Sequence, residues 1–436
     1  MKLSVLVPKV TDRLQYIFDL MLGDLLGVEY EFFTESGVFA QATGPKLNYG
    51  CERGGDEPYQ KAVRLLFERN VVEQDCQPVD FEDVKGLFPV YGKDNLFPFD
   101  VFAASFYLVS RYEEYLPQVR DGFGRFKAET TWMFKNGMLQ KPLVNIWTMR
   151  LGEKLQAVYP GLQFRKRTFR FLPTYDIDAA WAYKHKGVFR LAASFVKNLA
   201  NGEFSLIKER NEVLFRHRRD PFDSFDFMFG LQKKYKLRPI YFILCGDYDE
   251  NDKNISIRNE AFCALIKRIG DHADVGIHPS FASYLNTSRL RLEMDRLAGV
   301  LNREVTKSRQ HFLRMNLPRS YQKLIELDVK DDFTMGFASQ AGFRAGIADA
   351  FPFFDLENDV TTPLMVHPFA LMDGTMRDYL NMSVDESFSL ACRLIDEVKA
   401  VNGTFIYLTH NETLGGEKRW KGWPEMYEKM IRYCFS

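Results

Sequence analysis

The chain has 436 residues, of which 46% are hydrophobic and 15% aromatic, with 39 Phe. It is long enough to hold two or three domains and too apolar to be disordered. Lysine plus arginine (58) equals aspartate plus glutamate (58), which excludes a global field for nucleic acid or an anionic membrane and leaves only local patches open.

No apolar run reaches membrane-spanning length, and Pro8, Lys9, Asp12 and Arg13 fall where a signal peptide would need its apolar core. The six cysteines, at 51, 76, 245, 263, 392 and 434, contain no C-x-x-C pair, as expected of reduced structural thiols. The chain is therefore expected to be cytoplasmic, with no integral membrane segment.

Leu3, Val5 and Val7 alternate as a first strand. Thr11 caps a helix whose Leu14, Ile17, Phe18, Met21, Leu22 and Leu25 form one apolar stripe. Strands are predicted at 30–33 and 46–49, a helix from Asp100 to about Tyr115, and another over 143–158 stopped by Pro160-Gly161. Residues 1–162 are read as an accessory α/β domain without a motif assignable to chemistry.

All seven histidines lie beyond that stop. From there strands predicted at 168–175, 239–244, 274–278, 308–313, 332–336, 363–369 and 403–409 alternate with helices at 222–236, 257–269, 286–302, 318–327 and 384–401. A last helix starts at Pro424. Ser383 with Glu386 makes a capping box for the helix at 384. Such alternation argues for a parallel sheet, open or closed into a barrel, over residues 163–436.

The first of these strands ends in Thr174-Tyr175-Asp176-Ile177-Asp178. Extended backbone points Asp176 and Asp178 to one side. Two like charges so placed are costly unless a cation or a proton sits between them. A plain capping role for either Asp is the competing reading. His278 ends the third strand, His311 lies on the fourth, Asp331 and Asp332 open the fifth, His367 lies near the end of the sixth, and His410 ends the seventh. A β/α barrel gathers such strand ends at one mouth. One histidine alone would be better explained as a hydrogen-bonded core residue; several at equivalent ends point to a site.

Over about residues 165–436 the sequence resembles the NodB-like polysaccharide deacetylases, metal-dependent hydrolases on a distorted β/α barrel. Thr174-Tyr175-Asp176-Ile177-Asp178 is similar to the family's T-F-D-D motif, which implies Asp176 as general base and Asp178 as metal ligand. Asp274-Val275-Gly276-Ile277-His278 is similar to the stretch leading into H-x-x-x-H, which implies His278 as a second ligand. Arg309-Gln310-His311-Phe312 sits where the family has R-x-P-[YF]. The resemblance implies that Arg309 orients the base and that the Phe312 backbone N–H serves an oxyanion hole. Ile406-Tyr407-Leu408-Thr409-His410 looks like the closing strand that delivers the acid histidine.

Two departures stand out. The second histidine of H-x-x-x-H should fall at position 282, which is Ala282, and His311 is expected to supply the missing nitrogen. The family's D-x-x-D-W is represented only by Asp331-Asp332-Phe333-Thr334.

The resemblance thus implies a barrel of about seven strands and a divalent metal, zinc by preference, on Asp178, His278 and His311. Asp332 is the carboxylate expected to hold His410 in its tautomer. Tyr175 and Trp420, with Trp181, Phe281 and Trp423 nearby in the sequence, are candidates for stacking on a carbohydrate substrate. The implied reaction removes an N-acetyl or O-acetyl group. The rival readings are a carbohydrate-binding protein that has lost catalysis and an amidohydrolase acting on a small or nucleotide-linked sugar.

Overall fold

The computed structural model describes residues 1–436, apart from the side chains of Val188, Phe189 and Ala193. Four short parallel strands, β1 (Leu3–Leu6), β2 (Tyr30–Phe33), β3 (Lys46–Tyr49) and β4 (Tyr59–Gln60), pair in the order β2-β1-β3-β4. The Thr11 hydroxyl accepts from the Leu14 N–H at the start of the expected first helix, and Gly27 ends the helical run with φ 70°. An antiparallel hairpin of β5 (Pro78–Phe81) and β6 (Val84–Leu87) follows. The helix capped by Asp100 is buried along its whole length but covers only Val101–Val109; Arg111, at φ 56°, breaks it short of Tyr115. The helix Leu143–Val158 has the predicted bounds.

The C-terminal part is built on nine strands: β7 (Arg170–Ile177), β8 (Ile240–Ile243), β9 (Asp274–Ile277), β10 (Lys307–Ser308), β11 (Asp331–Asp332), β12 (Phe351–Asp355), β13 (Val360–Val366), β14 (Leu371–Met372) and β15 (Thr404–His410). Their order is β12-β13-β11-β10-β9-β8-β7-β15-β14, and every neighbouring pair is parallel except β12 with β13. All seven predicted strands are present. The fourth stops at Ser308 because Phe312 and Leu313 adopt φ of 60° and 54°, which no strand accommodates. The antiparallel β12, the two-residue β14 and the helices Val188–Ala200 and Phe204–Phe215 had no counterpart in the sequence reading.

The sheet is strongly curled. A flat sheet would put β13 and β14, seven strand spacings apart in the order, about 34 Å from each other. The chain passes from Val366 to Leu371 between them, and five residues span at most about 18 Å. Within the curl, period-two alternation separates two cores. Ile240, Phe242, Phe333, Ile406 and Leu408 form an inner apolar cluster, whereas Tyr175, Tyr241, Phe405 and Tyr407 belong to the main core outside it.

The main core runs on into the N-terminal part, where buried polar contacts also cross. Glu114 accepts from Arg344 at 2.9 and 2.6 Å and from Arg111 at 2.9 Å. Arg13 reaches Asp359 at 2.6 Å. Among the described residues no helix is long and apolar enough to cross a membrane.

Candidate functional site

Alternation along β7 turns Thr174 and Asp176 into the curl and Tyr175 and Ile177 away from it. Asp178, just beyond the strand, meets His278 from the end of β9, with His278 Nε2 at 3.2 Å from Asp178 Oδ1. His311, from the turn after β10, places Nε2 at 3.6 Å from Asp178 Oδ2. One donor atom from each of these three residues lies within 4.8 Å of the others.

Both imidazoles are fixed from behind. The Arg309 carbonyl lies 2.5 Å from His278 Nδ1, and Asp252 Oδ1 lies 2.9 Å from His311 Nδ1. Such partners hold each ring with Nε2 directed at the centre, as metal-binding histidines require. Asp178 Oδ1 is shielded from solvent, and although His278 Nε2 faces it at 3.2 Å it makes no hydrogen bond of good geometry. A buried carboxylate oxygen so left is costly without a cation, and an Asp/His/His donor set suits a divalent metal with open positions. The residues therefore fit a metal.

Ala282 supplies no ligand, but its backbone takes part. The N–H groups of Phe281 and Ala282 donate to Asp252 at 2.8 and 3.1 Å, so the loop at Ala282 anchors the carboxylate behind His311.

Arg309 is fully buried and donates to Asp176 Oδ1 at 2.9 Å, to the Thr174 hydroxyl at 2.8 Å and, through Nε, to the Phe333 carbonyl at 3.0 Å. Its guanidinium also lies 4.5 Å from the centroid of the Phe242 ring. Asp176 Oδ1 is thereby held, while Oδ2 faces His278 Nε2 at 3.8 Å. On the other side of Asp178, His410 Nε2 stands 3.8 Å from Oδ2. Asp176, Asp178, His278, His311 and His410 thus converge on one mouth, with Arg309 buried behind Asp176.

Asp332 does not hold His410. It is buried on β11, where it accepts from the Thr334 N–H and hydroxyl at 2.9 and 2.8 Å, five strand positions from β15. Burial pushes its pKa up. The partner of His410 is Asp373, at the end of the adjacent β14, with Oδ1 at 2.8 Å from Nδ1. Asp373 Oδ2 also accepts from the His410 N–H and the Thr409 hydroxyl, each at 2.8 Å. His367 lies outside the site, paired with Asp331 at 2.7 Å.

The electrostatics follow from these contacts. Burial disfavours the charged imidazole of His410, but Asp373, helped by Asp178 and Asp176, overrides it and pushes the pKa up to about 10. Against the same burial, Asp178 and Asp252 push His311 up to about 9. Asp178 resists the upward pull of burial and stays well below the usual carboxylate range because His311, His278 and His410 face it.

Tyr175 is not a substrate contact. It points away from the mouth, fully buried, with its hydroxyl 3.0 Å from that of Tyr427. Trp420 does line the mouth, its Nε1 donating to Glu412 at 3.0 Å, and Trp423 is buried behind it. Trp181 packs on His185 and Phe225, and Phe281 packs on Phe312. Phe312 lines the mouth from a left-handed turn.

The N-terminal part supplies one wall. Arg125 donates to the Phe312 carbonyl at 3.3 Å and to the Tyr379 hydroxyl at 3.0 Å, and Phe123 packs on the Phe312 ring at 5.1 Å. The mouth opens into a cavity of about 210 Å³. A second cavity of about 410 Å³ shares Arg125, Leu313, Ala338 and Tyr379 with it. Asp252, Asp373 and Arg125 are the residues that sequence reasoning missed: each sits on a loop or beside a two-residue strand, where no periodicity marks it.

Residues 3–160 match the model of a protein family described as a family of unknown function, DUF7033. No curated protein matches the chain. Among solved structures, one similar to part of the chain is a putative polysaccharide deacetylase from Mycobacterium smegmatis, 12% identical, covering 62% of this chain and 84% of that one, with a TM-score of 0.41. A probable polysaccharide deacetylase from Pseudomonas aeruginosa PAO1 is 10% identical over 61% of this chain and 84% of that one, with a TM-score of 0.38. PuuE allantoinase is 9% identical over 62% and 84%, also with a TM-score of 0.38.

Proposed function

We propose that the chain is a metal-dependent hydrolase of the NodB-like kind that removes an N-acetyl or O-acetyl group from a carbohydrate. One observation carries the reading: a carboxylate held by Arg309 and an imidazole held by Asp373 stand on either side of the Asp178, His278 and His311 donor set. A protein that only bound sugar would need neither the base nor the acid. The short chain from β13 to β14, which joins opposite flanks of the sheet, supports closure into a distorted barrel.

Asp178, His278 and His311 would hold the metal, zinc by preference for two nitrogen donors. When bound it would lower the pKa of water and polarise the acetyl carbonyl. Asp176 Oδ2 takes the proton from the attacking water while Arg309 keeps Oδ1 in place by a charge-assisted bond. The Phe312 N–H, set by its left-handed turn, stabilises the negative charge that develops on the carbonyl oxygen. His410 Nε2 then gives its proton to the leaving amine as the C–N bond breaks. Acetate and the free amino sugar result; for an O-acetyl group the proton goes to the leaving hydroxyl. Trp420, buried under Arg377 and Arg419, borders the mouth.

The test is metal analysis of the purified chain, followed by acetate release from N-acetylglucosamine oligomers and from acetylated xylan, with and without added zinc. Bound metal and metal-dependent acetate release are expected. A chain that binds no divalent metal and releases no acetate would fall to the reading as a lapsed enzyme.

A further inference from the structure

The segment between β7 and β8 carries, ahead of the helix Phe225–Tyr235, two helices, Val188–Ala200 and Phe204–Phe215, that leave several large apolar residues exposed. An amphipathic helix on a globular protein turns its apolar stripe inward. In the first of these helices the polar side packs on the second helix: the Ser194 hydroxyl accepts from Arg210 at 2.7 Å and Asn198 is buried. Phe195, Val196 and Leu199, elsewhere around the helix, are 40%, 64% and 50% exposed. In the second helix Phe204, Lys208, Asn211 and Phe215 fall on one stripe, all exposed, with Phe204 at 65% and Phe215 at 75%. Large apolar side chains grouped in this way mark a surface that meets another phase or partner.

Charge says which. The chain as a whole is neutral, yet residues 184–219 hold nine Lys or Arg against three Glu. The acids are occupied locally. Glu209 is paired with Lys418 at 2.5 Å, Glu212 with Arg218 at 3.0 Å, and Glu203 lies in the turn between the helices. Lys197, Lys208 and Arg216 are exposed and have no carboxylate partner among the described residues. Apolar side chains flanked by unpaired cations are the composition of a helix that lies in the interface of an anionic bilayer.

We propose that this helical hairpin docks the chain onto an anionic membrane surface, Phe195, Val196, Leu199, Phe204 and Phe215 entering the interface and the cations meeting lipid phosphates. The hairpin is rooted beside the candidate site. Asn411, which follows His410, donates to the carbonyls of Ala179 and Phe222 at 3.1 and 2.8 Å and so ties both ends of the excursion to the mouth. Docking would therefore hold the mouth close to the bilayer. The proposal stands whether or not the site hydrolyses acetyl groups.

The experiment is flotation of the full chain with vesicles of phosphatidylcholine alone, or with about 30 mol% phosphatidylglycerol added to give an anionic surface. Binding to the anionic vesicles, weakened by salt, is expected, with little on the neutral ones. Lys197→Glu with Lys208→Glu should cut binding by at least about 25-fold, since each cation near such a surface contributes about five-fold. Phe195→Ser with Phe204→Ser should cut it more than about 10-fold through lost apolar burial. All four side chains are exposed, so an unchanged circular dichroism melt is expected to show that the variants fold. Absence of flotation at low salt, or equal binding to both vesicle types, would overturn the proposal. So would a concentration-dependent dimer in light scattering that the Phe variants abolish, because the face would then belong to a second copy.

Discussion

Asp373→Asn isolates the acid half of the proposed mechanism. The substitution keeps the shape of the side chain but removes the charge that faces His410 Nδ1 at 2.8 Å. Asp373 stands ahead of Asp178 and Asp176 among the groups that raise His410. The sign follows from the role. A general acid must be protonated to act, and His410, raised to about 10, is protonated in about 99% of molecules at pH 8, against about 3% at an ordinary histidine pKa near 6.5. Protonation alone therefore costs about 30-fold at pH 8, and the lost hold on the tautomer adds about 10-fold or more, as in other carboxylate-oriented histidines. The assay is kcat for acetate release from pH 6 to 10, alongside metal content. The alkaline limb should move down by more than about two pH units while metal content stays at the parent level. Asp332→Asn, at the residue first expected to do this job, should leave that limb where it is. Activity within twofold of the parent and an unmoved alkaline limb in Asp373→Asn would refute the acid assignment.

Asp176→Asn should abolish acetate release with metal content intact, whereas Asp178→Asn should remove the metal; equal metal loss in both would show that Asp176 is a ligand and not the base. His311→Ala should lose metal on dialysis, and Asp252→Asn should weaken metal affinity by about 10- to 100-fold through its hold on His311; undiminished binding in His311→Ala would make that residue structural. Gly342→Ala should destabilise the fold by about 3 kcal/mol in urea denaturation, because φ is +137° there and a Cβ would meet the Leu139 carbonyl oxygen at 2.3 Å.

Where alternation ran long enough, the sequence disclosed both the strand and the direction of its side chains. β7 and β15 are eight and seven residues long, and the strand-end residues Asp176, Asp178, His278 and His410 all reach the mouth. The parity that aims Asp176 inward also aims Tyr175 outward, so counting Tyr175 as a sugar contact contradicted the strand reading itself. Asp373 escaped because β14 has only two residues and gives no period. Asp332 looked a better partner for His410 because chain order says nothing of strand order: β11 lies far from β15, and the late, short β14 takes the adjacent place. Arg125 escaped for a different reason. Its segment carries no element and no motif, and only the packing of the N-terminal part against the turn at Phe312 gives it a place in the site.

Arg309 links parts of the site that were derived separately. Its carbonyl fixes the imidazole of His278, and its guanidinium fixes the carboxylate of Asp176. The proposed metal cradle and proton acceptor are thus keyed to a single residue directly after a two-residue strand. A slip of β10 by one position would reverse that side chain and disassemble both at once. Displacement of this segment during partial unfolding should then disturb the proposed metal cradle and the proposed base together, whereas a substitution at Asp176 alone touches only the base.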